Sequence, residues 1–529
     1  MEPITVGTTR QLFLDDRVVE RVDGVERRLH RPRRSAQNPI LEPEHPWELS
    51  GGGIHLYGGT VLYDEEDRVF KMWYRTSTEP DGSYRTCYAT SEDGVTWEKP
   101  ELGLVDYAGS TRNNLLPPAI GTSRQIRRPN LIVDYEESDP GRRYKMVYMD
   151  GVDGRWALCQ GYSADGIHWQ LNVGAPTCFD RPVAPNGILF GWDPRRREFV
   201  HYHRSDGRLT ADVDGRSVHT RHAVMRTTSP DFESWGDTTV ALTRSDDDPP
   251  NWNPSHGIDL AGFLYTDDLY IGFVDTTTAH SVEEVPPELW VSVYADSFAQ
   301  YRTELVISRD GVEWQRAQPH WEFMRPGLWG TWDRDHIGLS KPIVKDGEVF
   351  VFYSGSNLPM GATAVDHPLR DLANTVVDGQ RMGHAIGLAP MRVDGFASMD
   401  GCQAGGTLTT KPLLFDGDRL VVNARAPEKA FTEKDEPTAP HGRLDVEILD
   451  ADGRPPAGFA REDCDTFTGD ELNHTVTWRG KSTIEARARP LRLRFYLRNA
   501  ALYAFQFSSE TVTRSLANPL CPGCRGNPQ

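Results

Sequence analysis

The sequence predicts an all-β protein, a five-bladed β-propeller followed by a C-terminal β-sandwich. Three observations predict this fold: a turn motif that recurs along the chain, an apolar strand ahead of each copy, and a change of pattern near residue 400. Self-similarity at a long period is the signature of a repeat fold. The composition agrees, because 48 Gly and 37 Pro among 529 residues suit a protein rich in turns.

The recurring motif is Ser-x-Asp-Gly-x-x-Trp. Intact copies span 91–97, 163–169 and 308–314, and a degraded copy spans 229–235. In such a turn the Asp side chain bonds its own backbone, Gly accepts a positive φ, and Trp packs on the turn. We therefore assign Asp93, Asp165 and Asp310 to the turns and not to chemistry.

Each module has an apolar strand, a tight turn and a second apolar strand, and in the first four modules the motif follows. In the fifth module Ser354-Gly355 follows the second strand without the motif. The second strands of the five modules lie at 70–74, 144–148, 199–202, 269–273 and 349–353. Modules of roughly 50–80 residues with four strands each describe five propeller blades. We place the propeller at 46–398, with an N-terminal segment, 1–45, packing on it. Several separate sandwich domains are the alternative, but the modules are too alike and too short for that.

The motif rhythm stops near residue 400, and shorter alternating strands take over. Segment 407–415 faces 420–423 across a turn, and 491–497 faces 502–507. Alternation with hairpin turns predicts a β-sandwich over 399–510. Residues 511–529 are expected to be a disordered tail. The pair Cys521 and Cys524 is expected to belong to that tail, because no second Cys-x-x-Cys accompanies it.

Charge and composition exclude several classes of function. A net charge of −19 argues against binding to nucleic acids and anionic membranes, whose phosphates require a basic surface. No stretch approaches the ~18–20 apolar residues of a transmembrane helix. The first residues show no secretory signal, so we expect a cytoplasmic protein with reduced cysteines. Cys87, Cys159 and Cys178 are predicted to be buried thiols.

Further segments, taken with the motif turns, resemble a known superfamily. Asn38-Pro39-Ile40-Leu41 followed by Trp47-Glu48 resembles the first-blade segment of glycoside hydrolases of families 32, 43 and 68, and of the related family 130 phosphorylases. Segment 386–396 resembles the last propeller strand of family 32-like proteins, just before their sandwich. The resemblance covers nearly the whole chain. It implies a carbohydrate substrate and a glycosidic bond flanked by two carboxyl groups in the propeller funnel.

The chain lacks the Asn-Asp-Pro, Arg-Asp-Pro and Glu-Cys motifs of family 32, so we take candidates from the segments that lead into the inner strands. Polar side chains there would converge on one funnel. The candidate catalytic acids are Glu48, Asp180, Asp259 and Asp335. The candidate substrate-binding residues are Trp47, His55, Arg128, Asn130, Arg181, Asn186, His256, Trp332, Asp333 and His336. Carboxylates and Arg bond sugar hydroxyls, and Trp stacks on sugar rings.

Each of these residue types also has a structural interpretation. Asp serves turns, and Trp packs blade against blade. His55, His256 and His336 suit a metal as well as a substrate, although loop histidines more often bond their neighbours. We predict no cofactor.

Three functions remain open at this point. The first is a glycosidase that acts on a furanoside or a small oligosaccharide. The second is a phosphorylase or transferase of the family 130 type, with Arg127, Arg128 and Arg181 as a basic phosphate pocket. The third is a carbohydrate-binding propeller without catalysis. A sialidase fits less well, because its Asp-box has one more residue between Asp and Gly. The sugar, the linkage and the oligomeric state stay open.

Overall fold

The computed structural model shows a chain that is nearly all β, which confirms the predicted class. The structure describes residues 2–49, 52–76, 85–120, 126, 128–152, 155–171, 187–204, 208–213, 216–221, 223–236, 238–243, 252–253, 260–278, 300–358, 370–427, 441–484 and 489–509. In these ranges the α-helical structure is one short helix, α1 (Pro46–Leu49). Short 3-10 turns lie at Pro140–Arg142, Arg370–Leu372 and Arg461–Asp463.

The first four strands precede the repeated modules. They are β1 (Ile4–Gly7), β2 (Gln11–Leu12), β3 (Val19–Asp23) and β4 (Val25–Leu29).

Three antiparallel sheets follow, each continuing the chain of the one before. Sheet I contains β5 (Ile54–Asp64), β6 (Val69–Thr76) and β7 (Thr86–Ser91). Sheet II contains β8 (Asn130–Val133), β9 (Tyr144–Val152), β10 (Arg155–Ser163) and β11 (Trp169–Leu171). Sheet III contains β12 (Gly187–Asp193), β13 (Glu198–Arg204), β16 (Val224–Ser229) and β17 (Thr239–Leu242), with the hairpin β14 (Arg208–Val213) and β15 (Arg216–Arg221) inserted.

Two further sheets complete the modules. Sheet IV contains β18 (Trp252–Asn253), β19 (Leu260–Thr266), β20 (Leu269–Thr278), β21 (Gln300–Ser308), β22 (Gln315–Arg316) and β23 (Glu322–Met324). In sheet V, β26 (Glu348–Ser356) pairs with β24 (His336–Leu339), β25 (Ile343–Lys345) and β29 (His384–Arg392). The hairpin β27 (Val376–Val377) and β28 (Gln380–Arg381) precedes β29. All five predicted second strands lie within β6, β9, β13, β20 and β26.

Contacts between the five sheets run in a cycle. The first strands β5 and β8 join sheets I and II, β8 and β12 join II and III, and β12 and β19 join III and IV. Strand β24 of sheet V contacts β21, and β5 of sheet I contacts β26 and β29 of sheet V. The last sheet therefore lies against the first.

The C-terminal strands form two more large sheets and contribute to a separate two-stranded sheet. These strands are β30 (Ala397–Gly401), β31 (Gly406–Thr410), β32 (Leu413–Phe415), β33 (Arg419–Ala426), β34 (Arg443–Leu449), β35 (Gly469–Thr475), β36 (Arg492–Arg498) and β37 (Ala500–Ser508). Sheet VI has the order β35-β33-β37-β30-β4, and sheet VII has the order β3-β31-β36-β34, while β32 pairs with β1 in the two-stranded sheet. Buried side chains of both sheets, such as Phe505 of VI and Phe495 of VII, share one apolar cluster.

The N-terminal segment contacts both the propeller modules and the C-terminal strands. We expected residues 1–45 to pack on the propeller modules, and Leu12 and Leu14 lie in an apolar cluster with sheets III to V. In addition, β4 pairs with β30, β3 with β31, β2 with β37, and β1 runs parallel to β32. Residues 4–29 thus extend the C-terminal sheets. The sequence did not predict the pairing of β3 and β4, because only Val25 in these strands is buried and the other positions are mostly charged.

The next residues, 33–41, which we name the closing segment, run along β29. The amides of Ser35 and Ile40 donate to the carbonyls of Leu388 and Ile386, each at 2.9 Å. The Asn38 side chain imitates a peptide group against Leu388: Nδ2 donates to its carbonyl at 2.9 Å, and Oδ1 accepts from its amide at 2.8 Å. A segment that precedes the first module is therefore hydrogen-bonded along the edge of the last one.

The repeated motif forms the predicted turn in all four copies. Asp93 Oδ1 accepts from the amides of Val95 and Thr96 at 2.8 and 2.7 Å, and Asp165, Asp231 and Asp310 make the same pair of bonds. Gly94, Gly166 and Gly311 have φ of 77°, 75° and 71°. In the degraded copy Phe232 adopts φ 68° and is buried. The assignment of these aspartates to structure is confirmed.

The motif glycine also joins one sheet to the one before it. Trp73 of sheet I donates its indole N–H to the Gly166 carbonyl at 2.7 Å, and the Tyr202 hydroxyl of sheet III donates to the Gly311 carbonyl at 2.8 Å. A Cβ on Gly166 would lie 2.7 Å from Trp73 Cζ2. Glycine is therefore required here both for its φ and for the close approach.

An aspartate in the first hairpin of a sheet makes a second such contact. Asp64 of sheet I accepts from the Tyr144 hydroxyl of sheet II at 2.7 Å, and Asp193 of sheet III accepts from the Tyr270 hydroxyl of sheet IV at 2.8 Å. Both aspartates are buried. Burial without a partner would cost free energy, so each carboxylate fixes the neighbouring sheet in one position.

Two smaller expectations are also tested. Cys87 and Cys159 are buried, as predicted, whereas Cys178, Cys521 and Cys524 lie outside the described residues. Across the described ranges the structure contains no helix of the length and apolarity needed to cross a membrane.

We predict that Gly166→Ala lowers the free energy of unfolding by about 3 kcal/mol, because it adds overpacking against Trp73 to the cost of a positive φ. Gly103→Ala is the matched control, since Gly103 has φ 73° and no atom within 4 Å of an added Cβ. It should cost roughly 1 kcal/mol. Urea denaturation compares the two variants, and equal losses would contradict the docking role of the motif glycine.

Candidate functional site

Three histidines of sheets I and V meet where the strands of sheet V begin and end. His336 opens β24 and His384 opens β29, and both pair with Ser356 at the end of β26. His55, on β5, pairs with Arg75. The His55 and His384 rings lie 3.9 Å apart between centroids, and the His336 and His384 rings 6.0 Å apart. We name His55, His336 and His384 the imidazole cluster; all three are buried.

Glycines allow the approach that brings His55 to His384. Gly53 forms a parallel bridge with His384, and the His384 amide donates to the Gly52 carbonyl at 3.1 Å. A Cβ on Gly53 would lie 2.3 Å from the His384 carbonyl oxygen, and one on Gly383 would lie 2.6 Å from the Gly52 carbonyl oxygen. Side chains at these positions would separate the first and last sheets and open the cluster.

Burial and nearby positive charge keep the cluster neutral. Burial, and then the Arg75 guanidinium, lower the pKa of His336 to about 4. Burial also holds the pKa of His55 and His384 well below the ordinary value, with contributions from the other imidazoles and Arg75. A neutral imidazole has one donor and one acceptor nitrogen. At neutral pH the cluster therefore suits hydroxyl groups, which both donate and accept.

Sheet IV brings a carboxylate to the same region. Asp275 on β20 is 6% exposed, and its Oδ1 accepts from the Thr303 hydroxyl at 2.8 Å. A Cβ on Gly338 would lie 3.5 Å from Asp275 Oδ2 and 3.7 Å from His336 Cε1. The carboxylate and the imidazole thus border the same glycine, and neither sheet alone would provide both groups.

Of the predicted acids, Asp335 is next in sequence to the cluster and has a partly exposed carboxylate. It precedes His336, and its amide donates to the Ser356 carbonyl at 2.9 Å. Its side chain is 25% exposed, and Oδ2 accepts from Arg334 Nε at 2.8 Å. Part of this carboxylate is therefore open to solvent. Asp180 and Asp259, also predicted as acids, lie outside the described residues.

Glu48 has a different environment. It lies on α1 with 0% exposure, and its carboxylate accepts from the amides of Glu44 and His45, from the Tyr74 hydroxyl at 2.5 Å and from Lys99 Nζ at 2.9 Å. These partners already use both oxygens. The contacts indicate a carboxylate that holds α1 on sheet I, and they give no support to its prediction as a catalytic acid.

The predicted substrate-binding tryptophans are packed within the protein. Trp47 is buried, stacks on His45 at 4.5 Å between centroids, and donates its N–H to Asn114. Trp332 stacks on Tyr353 at 5.5 Å, and added Cβ atoms on Gly355 and Gly387 would lie under 3 Å from its ring. Both favour the structural interpretation over a sugar platform.

Asp333 is also committed to structure. It is 1% exposed, and its carboxylate accepts from Arg34 Nε at 2.6 Å, the Tyr353 hydroxyl at 3.1 Å and the Thr331 hydroxyl at 3.0 Å. Arg34 belongs to the closing segment and also donates to the Arg325 carbonyl. The predicted sugar-binding aspartate thus anchors the closing segment to sheet V, a contact between distant parts of the sequence.

Of the remaining predicted residues, some are described and some are not. Arg128 lies near the cluster, because its charge contributes to the lowered pKa of His55, and it has φ 52°. Asn130 is the first residue of β8 and is buried. Arg127, Arg181, Asn186 and His256 lie outside the described residues. Among the residues that are described, no three or more His, Cys, Asp or Glu side chains are arranged to hold a metal. The metal suggested for His55, His256 and His336 stays untested, because His256 is not among them.

The sequence did not predict three residues of this region: Arg75, Asp275 and His384. The candidates came only from the segments that lead into the first strand of each module. Arg75 and Asp275 lie near the ends of second strands, and His384 opens β29. Antiparallel strands bring those ends to the side of the sheet where first strands begin. A polar residue that closes an apolar second strand was the available signal.

No family model and no curated relative matches the sequence. Several solved structures match this chain at low sequence identity. A glycosyl hydrolase from Bacteroides ovatus is 12% identical with a TM-score of 0.42, covering 70% of this chain and 97% of that one. A thermostable family-43 glycoside hydrolase is 14% identical, with a TM-score of 0.40 and coverage of 66% and 94%. An N-acetylgalactosamine deacetylase from F. plautii is 14% identical, with a TM-score of 0.44 and coverage of 71% and 97%. These names describe two reactions, glycoside hydrolysis and deacetylation, so the structural likeness does not favour either reaction for this protein.

The buried imidazoles predict a protein that loses stability in mild acid. Above pH 6.5 both the folded and the unfolded protein keep His336 neutral, so it contributes no pH dependence. As the pH falls from 6.5 to about 4, the unfolded chain binds a proton that folded His336 does not. Stability should therefore fall over that window, by on the order of 3 kcal/mol for His336 alone.

Urea denaturation at pH 7.5, 6.0 and 5.0 measures this slope. His336→Gln should flatten it, whereas the matched control His320→Asn removes an exposed imidazole. A wild-type stability that does not change between pH 7.5 and 5.0 would contradict the buried, neutral cluster.

A second prediction separates structure from catalysis at Glu48. Glu48→Gln should lower the free energy of unfolding by about 2–4 kcal/mol, because it leaves the buried Lys99 ammonium without its carboxylate. Turnover by the folded variant should stay within a few-fold of wild type. A loss of about a thousandfold in kcat with unchanged stability would instead show that Glu48 is a catalytic acid.

Proposed function

We propose that the protein is a carbohydrate-active enzyme that cleaves a glycosidic bond beside the imidazole cluster, with Asp335 as a catalytic carboxyl group. One observation carries the proposal: a partly exposed carboxylate, Asp335, directly precedes His336, one of three buried imidazoles that meet where sheets I and V are in contact. The separate likeness to glycosidase structures concerns the fold alone.

The architecture that we infer is a five-bladed propeller with a C-terminal sandwich. The cyclic contacts among sheets I to V support the propeller, and the apolar cluster shared by sheets VI and VII supports the sandwich. In a propeller the first strands surround a central funnel. On this architecture Asp335, the cluster and Asp275 would border one mouth of the funnel, where propellers bind small molecules.

The chemistry that fits these groups is acid–base cleavage. One carboxyl group protonates the leaving oxygen, and a second attacks the anomeric carbon or activates water. Asp335 is the exposed candidate, and Asp275, from the neighbouring sheet, is the second described carboxylate of the region. Asp180 and Asp259 remain predictions for these roles. The neutral imidazoles and Arg75 would bond the sugar hydroxyls and fix the ring.

Phosphorolysis is the second candidate, and one observation favours it. Arg75 pairs with His55 across β5 and β6, and the charges of both Arg75 and Arg128, which lies just before β8, lower the pKa of His55. Arg binds phosphate with paired N–H donors. In that reaction phosphate would replace the second carboxyl group, and one acid would suffice.

The experiment that tests the proposal is turnover of nitrophenyl furanosides, nitrophenyl pyranosides and fructans, each with and without inorganic phosphate. Asp335→Asn should lower kcat by a hundredfold or more with unchanged stability, because it removes the proton donor. The same assay on Asp180→Asn, Asp259→Asn and Asp275→Asn identifies the second acid. Turnover that requires phosphate, and that falls in Arg75→Lys, would select the phosphorylase.

Two outcomes would contradict the proposal. Full activity in Asp335→Asn would remove this residue from the chemistry. No turnover of any substrate under either condition would favour the third function, a propeller that binds carbohydrate without cleaving it. The cytoplasmic location stays a prediction.

A further inference from the structure

One tryptophan among the described residues is largely exposed to solvent. Trp329 is 86% exposed, and the adjacent Leu328 is 82% exposed. Apolar side chains of this size are usually buried, so a pair exposed side by side calls for a physical explanation. The tryptophans that the sequence nominated as sugar platforms, Trp47 and Trp332, are packed against other rings. Trp329 was not among the sequence-predicted candidates.

The turn that carries Trp329 is held from several sides. The Thr331 amide donates to the Leu328 carbonyl at 3.0 Å, and the Thr331 hydroxyl donates to the same carbonyl at 2.8 Å. Gln380 Nε2 donates to the Gly330 carbonyl at 3.2 Å. The Gly327 amide bonds the Asp333 carbonyl, and a Cβ on Gly327 would lie 2.1 Å from Thr331 Oγ1. The indole is therefore presented on a braced turn, which lowers the entropy lost on binding.

One face of the indole is already occupied. The Arg334 guanidinium lies 4.3 Å from the centroid of the Trp329 ring, and Arg334 Nε donates to Asp335 Oδ2 at 2.8 Å. The chain of contacts runs from the indole through the cation to the carboxylate. The ring is thus fixed relative to Asp335, and its large exposure leaves its other face to solvent.

The braced turn lies at the end of sheet V that holds the imidazole cluster. Gln380, which bonds the turn, is on β28, and the chain leads from there to His384 at the start of β29. Asn357, which follows β26, accepts from the Gly383 amide at 2.8 Å and donates to the Arg381 carbonyl at 2.9 Å. These bonds fasten the β27–β28 hairpin to the strand ends that carry the cluster. Trp329 and the cluster therefore border the same region.

We propose that the exposed face of Trp329 is a stacking platform for a sugar ring of the carbohydrate ligand, beyond the ring that the imidazole cluster would hold. This inference rests on the proposed carbohydrate specificity. The C–H face of a sugar is apolar and its rim is polar, which matches an indole beside Arg334 and Asp335. Sugars that extend beyond the cleaved bond should gain from this contact, and the shortest ones should not.

The test compares Trp329→Ala, Trp329→Phe and the matched control Leu328→Ala, which removes the neighbouring exposed apolar side chain. For an oligosaccharide substrate Trp329→Ala should raise KM about tenfold or more, with kcat within about twofold. Trp329→Phe should stay within about threefold of wild type, and Leu328→Ala should match wild type. For the nitrophenyl monosaccharide the KM of all three variants should be unchanged.

A binding measurement that does not need turnover separates this inference from the proposed function. Tryptophan fluorescence of the wild type is titrated with methyl glycosides and with oligosaccharides, and the change should be absent in Trp329→Phe. If no substrate is cleaved but this signal is present, the platform stands and the enzymatic proposal fails.

Three results would overturn the platform. One is a KM for oligosaccharides that does not depend on residue 329. Another is an unchanged fluorescence titration in Trp329→Phe. The third is a fall in oligomer mass, measured by light scattering, in both Trp329→Ala and Leu328→Ala without any effect on sugars, which would show that the turn joins two copies of the chain.

Discussion

The structure depends on a contact that is repeated from sheet to sheet. The carbonyl of a motif glycine accepts from an aromatic side chain of the preceding sheet, Trp73 for Gly166 and Tyr202 for Gly311. The hairpin aspartates Asp64 and Asp193 add a buried bond to a tyrosine of the following sheet. Because a sheet must bury both faces, and an unpaired buried carboxylate is costly, these contacts fix one angle between neighbours.

Sheets V and I are also in contact, and here distant parts of the chain meet. The closing segment, 33–41, is hydrogen-bonded along β29, and Arg34 binds Asp333, which precedes β24 of sheet V. Gly53 and Gly383 then let the first sheet approach the last at backbone distance. The imidazole cluster forms at this contact between sheets I and V, so the candidate site is a consequence of contacts between distant parts of the sequence and not of one local motif.

This explains which features the sequence could predict. The strands and motif turns follow from local patterns, so the second strands and the role of Asp93, Asp165 and Asp310 were predicted correctly. The candidate site depends on contacts between sheets I, IV and V. Glu48 and Asp333 have the composition of a sugar site, yet Lys99 and Arg34 occupy their carboxylates. Arg75 and His384 lie in positions that only the pairing of β5 with β6 and of β26 with β29 brings together.

The central claim is that a sugar binds at the mouth bordered by the imidazole cluster and Asp335. The most direct measurement is a crystal structure of Asp335→Asn soaked with the glycosides of the activity panel. The account predicts a sugar with hydroxyls within hydrogen-bond distance of His55, His384 or Arg75. A sugar bound only elsewhere would contradict it, for example in the cleft of about 670 Å³ on sheet VI that His30, Arg425 and Tyr503 line.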